Sequence, residues 1–144
     1  MDTVQFLAEL RGNDVPAYPL GMSKVEALYA AGHWLLSQER FVDAAKIFRM
    51  MLRLAPSDER SWLALGTCHE RIGQHRIALE LYGTGSVLGV AAVRCHLARA
   101  RTLRVLDRDD EADAAMDRAE QLAAESDDDE LVTLVLREKG RRAA

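Results

Sequence analysis

The sequence predicts an all-α fold: a superhelix of three stacked helix pairs, with one further helix at each end. Three observations carry this. The chain matches itself at a spacing of 34 residues, twice and without a gap: Leu28, Trp62 and His96 fall one period apart, as do Gly32, Gly66 and Ala100, then Ala44, Ala78 and Ala112, then Phe48, Tyr82 and Met116. Within each period, apolar residues recur at helical spacing and are punctuated by turn residues. Ala, Leu, Arg, Glu and Asp dominate a composition poor in aromatics, which is that of packed helices.

Each element has its own local cause. Val4, Phe6, Leu7 and Leu10 give residues 3–10 the apolar stripe of a short amphipathic helix. Gly12-Asn13-Asp14 ends it, and two prolines make 15–21 an extended linker. Ser23 is placed to cap a helix over 24–37, and its partner over 41–54 stops before Pro56. Ser57 is read as the next cap, for a helix through Ile72 that Gly73 terminates. Helices over 75–88, 91–106 and 109–124 follow, the last opening on Asp109 and Asp110, where the helix dipole favours acids. Asp127 to Asp129 start a final helix whose apolar face is Leu131, Leu134, Val135 and Leu136. Gly83, Gly85 and Gly89 crowd one segment, at about 1 kcal/mol per interior helical glycine. The expectation there is irregular backbone after Tyr82, either an early helix end or a hinge.

A 34-residue helical period with small residues at its eighth and twentieth positions is the tetratricopeptide signature. Those positions lie where the two helices of a pair cross, so Gly32 faces Ala44, Gly66 faces Ala78 and Ala100 faces Ala112. Larger side chains would overpack the crossing. The domain plan is a helix and linker over 1–22, three repeats over 23–126 (about 25–58, 59–92 and 93–126), and a capping helix with tail over 127–144.

Such an arc is a receptor for a segment of another chain. The first helix of each pair lines its concave side, and repeat positions 2, 5, 9 and 12 point into it. These are Glu26, Tyr29, His33 and Leu36, then Arg60, Leu63, Thr67 and Glu70, then Arg94, Leu97, Arg101 and Arg104. The groove is predicted to be apolar and aromatic at one end and cationic at the other, suiting an extended peptide with apolar anchors and some acidic groups. The cations have a plainer reading too, as a solvated face paired with the acids of 107–130. Phe6, Leu7 and Leu10 need cover and are expected to pair with a second protomer or to cap the first repeat.

Other classes find little support. A net charge of −4 argues against a general nucleic-acid binder. The first residues lack a basic start and a long apolar core, so no secretory signal is expected, and two cysteines are too few for a disulfide framework. Cys68-His69 and Cys95-His96 invite a zinc reading, but adjacent helical residues point about 100° apart, and a four-ligand site would need both helices to converge. Packing roles are expected for them, and no cofactor or metal. The carboxylates at Asp109, Asp110, Asp113 and 127–129 sit at helix starts and on solvated faces, which suits no acid–base pair.

With the groove positions in hand, the chain resembles the class II chaperones of bacterial type III secretion, the SycD/LcrH family. Glu26-Ala-Leu-Tyr-Ala-Ala-Gly32 looks like that family's first-repeat opening. Leu63-Ala-Leu-Gly-Thr-Cys68, then Gly73-Gln74, Ala78, Tyr82 and Gly85, look like its second repeat, and Ala112 through Ala123 its third. The resemblance implies a cytoplasmic chaperone, often a homodimer, that masks hydrophobic translocator proteins before export and holds a short translocator motif in the groove. The family's pocket aromatics fall at Tyr29, His33 and Leu36, of which only Tyr29 keeps an aromatic hydroxyl. The other readings of the same groove are an adaptor that binds an internal peptide of another assembly and, of a different class, a metal enzyme built on Cys68, His69, Cys95 and His96.

Overall fold

The computed structural model describes residues 22–89 and 92–143. The amphipathic segment carrying Phe6, Leu7 and Leu10 lies outside them. Seven helices follow one another among the described residues: α1 (Lys24–Ser37), α2 (Phe41–Leu54), α3 (Glu59–Arg71), α4 (His75–Leu88), α5 (Val93–Val105), α6 (Asp109–Glu125) and α7 (Asp129–Ala143). Each packs on the next, and α1 touches α3, α3 touches α5 and α5 touches α7. The first helices therefore stand side by side along one face, and α7 takes the place a fourth first helix would hold.

The crossings have a sharper cause than small against small. A Cβ added at Gly32 would lie 2.5 Å from the Phe48 ring, and one at Gly66 only 2.3 Å from the Tyr82 ring. Phe48 and Tyr82 are closed to solvent, so neither ring has room to withdraw. Where the third pair carries Met116 instead of a ring, the facing position holds Ala100, fully buried. Glycine thus accompanies an aromatic, and alanine accompanies a flexible thioether that can bend round a methyl group.

Two core clusters result. One, around Leu28, Leu35, Ile47, Phe48 and Met51, belongs to the first pair and the start of the second. The other, around Val93, Leu97, Leu103, Met116 and Val135, joins the third pair to α7. Ala78, Tyr82 and Ala98, with Leu63 against them, bridge the two.

The turns inside the pairs repeat with the period. Glu39 (φ 57°), Gly73 (φ 80°) and Asp107 (φ 57°) are each left-handed. At each, the residue's own N–H donates to a carbonyl three residues back and the next N–H to one five residues back, as in Arg40 to Leu35, Gln74 to His69 and Arg108 to Leu103. This is the Schellman ending, which satisfies the last carbonyls of a helix.

Three local expectations are corrected. Helix α4 is regular through Leu88, so there is neither an early end nor a hinge after Tyr82. Gly85 is there for space: a Cβ on it would meet Trp62 Cβ at 2.5 Å and Cys95 Sγ at 2.9 Å. The cap of α3 is Asp58 rather than Ser57, its carboxylate accepting from the Arg60 N–H. In α7, Leu136 is 56% exposed, while Val132 packs inward beside Leu131, Leu134 and the buried Val135.

Candidate functional site

The residues on the face of first helices fall into three stretches. At the α1 end, Tyr29 and His33 are one helical turn apart and their rings meet edge-on, with centroids 4.4 Å apart. His33 also stands edge-on to Phe48 at 5.6 Å. His33 keeps an exposed side, yet desolvation lowers its pKa below the usual histidine value, favouring the neutral ring. Tyr29 and Leu36 are half-buried against the first core cluster.

Arg60 reaches across this stretch. Its guanidinium lies 4.6 Å from the centre of the Tyr29 ring, a cation–π contact. It binds Glu26 at 2.7 Å and Asp58 at 2.8 Å. Hydrogen bonds from Arg60 hold both carboxyls below their ordinary pKa values, and the two carboxylates raise that of Arg60. Arg60 is thus a clasp between α1 and α3 that covers one face of Tyr29, and Asp58 serves it while capping α3.

The middle stretch is polar over an apolar floor. Leu63 packs on Ala78, Tyr82 and Ala98. Thr67 donates to the Leu63 carbonyl at 2.9 Å, and the Tyr82 hydroxyl is turned toward Thr67 and Glu70. The Thr102 hydroxyl, fully buried, is shared between the Glu70 carboxylate and the Ala98 carbonyl. Burial is the main cause that raises the Tyr82 pKa, so the phenol stays protonated. Tyr82 is the residue a groove-only reading misses, because the period marks it as packing. The signal was its hydroxyl: the equivalent Phe48 has none, and a buried phenol needs a partner.

The third stretch differs from expectation. Leu97 is closed to solvent, packed in the cluster that holds Val135 and Leu134 of α7, so it offers no open groove surface. Arg101 binds Glu138 of α7 through two contacts of 3.2 Å, and Arg104 binds Asp113 at 3.3 Å. Arg94 is exposed and lines a small cavity of about 410 Å³ with Asp129, Glu130 and Arg137. The cationic end is therefore largely paired, in part with the acids of 107–130 and in part with the final helix.

The thiols sit apart from this face. Burial pushes Cys68 up to about 11 and Cys95 up to about 12, so neither is a thiolate at neutral pH. No three side chains among the described residues converge to hold a metal ion. No described helix is long and apolar enough to cross a membrane.

No family model matches the chain. Curated relatives are found in the low calcium response locus protein H of Yersinia pestis and of Yersinia pseudotuberculosis, each 28% identical over 101 residues. The match covers 70% of this chain and 60% of theirs, so it spans about three fifths of the relatives' length. Among solved structures, PcrH of Pseudomonas aeruginosa bound to the chaperone-binding region of PopB is 28% identical, with a TM-score of 0.70 over 82% of this chain and 98% of that one. The Yersinia enterocolitica chaperone SycD bound to a peptide of the translocator YopD is 26% identical, with a TM-score of 0.69 over 84% and 93%. Another SycD structure covers 98% of this chain and 96% of its own, at a TM-score of 0.74 and 23% identity. The chain is similar in sequence to these translocator chaperones and has their tetratricopeptide fold.

Proposed function

We propose that this chain is a cytoplasmic chaperone of type III secretion that holds extended segments of hydrophobic translocator proteins against the face of α1 and α3. The observation that carries this is the likeness, over most of both chains, to PcrH and SycD in structures that contain PopB and YopD segments. The chemistry of the face supports it. Tyr29, Leu36 and Leu63 are half-buried apolar side chains that a client's own apolar anchors would finish covering. His33, Thr67 and Glu70 add polar groups beside them, and Arg60 bounds the Tyr29 pocket. Arg94 and Arg101 flank the far end; Leu97 acts there from beneath, as support.

Such a protein needs no reaction. Translocators carry apolar segments that would aggregate or enter the wrong bilayer, and covering those patches keeps them exportable. A homodimer through Phe6, Leu7 and Leu10 belongs to the same reading.

The test is co-expression with a secreted protein bearing such segments. A soluble complex should co-purify, and Tyr29→Ala combined with Leu63→Ala should lower its yield at unchanged helicity. Failure to keep any such client soluble would sink the chaperone reading. Binding that survives both substitutions would move the site off this face.

A further inference from the structure

A cavity of about 620 Å³ lies away from the groove face. It lies between α4, α5 and the turn after α5. Arg99 lines it from α5, two residues before Arg101 and so about 200° round the helix from the groove side. Arg76 and Arg108 bring two more guanidiniums, and Leu79 and Leu106 supply apolar lining. Arg108 is held by Glu111. Arg76 and Arg99 make no ion pair among the described residues, and Glu80 is the one carboxylate on the lining.

Gly83 belongs to this cavity and has no packing reason to be glycine. A Cβ there would meet nothing closer than Arg99 Nε at 3.9 Å, unlike Gly85, where a Cβ collides with Trp62. An interior helical glycine costs about 1 kcal/mol relative to alanine, and at Gly83 no tight contact offsets it. What the missing side chain leaves is room beside Arg99, on a wall with an excess of cations.

We propose that this outer cavity is a second binding site, for a protein segment that carries carboxylates interspersed with apolar side chains. The two unpaired guanidiniums would take the carboxylates, Leu79 and Leu106 the apolar groups, and Gly83 lets the segment approach α4 closely. The volume is within the range of ligand sites. A carboxylate fits better than a phosphate group, because Glu80 would repel a dianion more strongly and the leucines offer it nothing. The site uses no groove residue, so it stands or falls separately from the chaperone reading.

The experiment is calorimetric titration of the full chain with a short peptide of alternating Glu and Leu, against the Gln–Leu peptide and inorganic phosphate. The Glu–Leu peptide should bind saturably and weaken with added salt. Arg76→Gln with Arg99→Gln should weaken it by about tenfold or more, as should Gly83→Gln, which fills the cavity. Tyr29→Ala with Leu63→Ala should leave it unchanged. Arg76 is exposed, so Arg76→Glu alone tests the site if the double variant fails to fold. Equal binding of the Gln–Leu peptide, tighter binding of phosphate, no saturable binding, or sensitivity to the groove pair instead of the arginines would each overturn the proposal.

Discussion

The first and third repeats carry out the same crossing in different materials. In the first, Phe48 is a rigid ring seated on Gly32, and the face above is left open, bounded by Arg60 over Tyr29. In the third, Met116 packs with Ala100 and Ala112, and the face above is shut by α7 through Leu97, Val135 and the Arg101–Glu138 pair. The second repeat has the ring and the glycine of the first, yet through the hydrogen bond from Thr102 to Glu70 it is tied to the third. One period therefore supplies an open end and a closed end. The closing element is the only helix of the seven outside a pair, and in a stacked-repeat fold such a cap decides whether the last apolar face is wet.

The widest difference should appear when the cap is removed. Ending the chain before Asp128 uncovers Leu97 and the cluster round it, at an expected cost of about 3–5 kcal/mol, the scale of losing several buried side chains. Urea denaturation should then show the third repeat unfolding first; unchanged cooperativity and midpoint would mean that α7 does not close that end.

Next in size is the crossing. Gly66→Ala drives a methyl group into the Tyr82 ring and should lose about 1–2 kcal/mol net, although alanine is the better helix former. Adding Tyr82→Met should make that methyl tolerable, so the double variant falls short of the sum of the singles. Ala100→Gly should cost only about 1 kcal/mol, since it removes a methyl that already fits. Thermal melts of the parent and these four variants read this directly, and additive losses at 66 and 82 would break the argument.

The smallest effect is at the open end. Glu26 and Asp58 have folded pKa values below their unfolded ones because Arg60 bonds them. A depressed carboxyl contributes stability above its unfolded pKa, near about 4, and loses it as pH falls through the folded value. Arg60→Met should therefore lower the urea midpoint slightly at pH 7 and flatten its decline between about pH 4.5 and pH 3, so that the two proteins converge in acid. A decline as steep as in the parent chain would assign the acid sensitivity elsewhere.

These comparisons separate what the period could disclose from what it could not. The helix limits of α1, α2 and α4 follow from spacing, caps and breakers, which are local, and they stand where those signals put them. Gly85 misled for a physical reason: a glycine near a helix end looks the same whether it breaks the helix or admits Trp62 and Cys95, and only the neighbouring repeat decides. The positions on the face of first helices were legible by register, but their state was not. Whether Leu97 is open depends on where α7 lands, and whether Arg60 is available depends on Glu26, a full repeat away. Register assigns a direction to a side chain; occupancy of the space ahead of it is settled by elements distant in the chain.

The three left-handed turns inside the pairs have a consequence of their own. Glu39, Gly73 and Asp107 carry one geometry with three side chains, so the molecule contains its own titration of backbone strain. Only the glycine takes that conformation freely; the glutamate and the aspartate are tolerated because the two hydrogen bonds of each turn insist on it. All three residues are exposed, and none belongs to a core cluster. Glu39→Gly and Asp107→Gly can therefore relieve strain at the hairpin bends of the first and third pairs while the groove face and the outer cavity keep every atom they have. A scaffold whose bends relax while its surface stays fixed is the instrument needed to ask, under the proposed chaperone function, whether client release depends on the arc flexing.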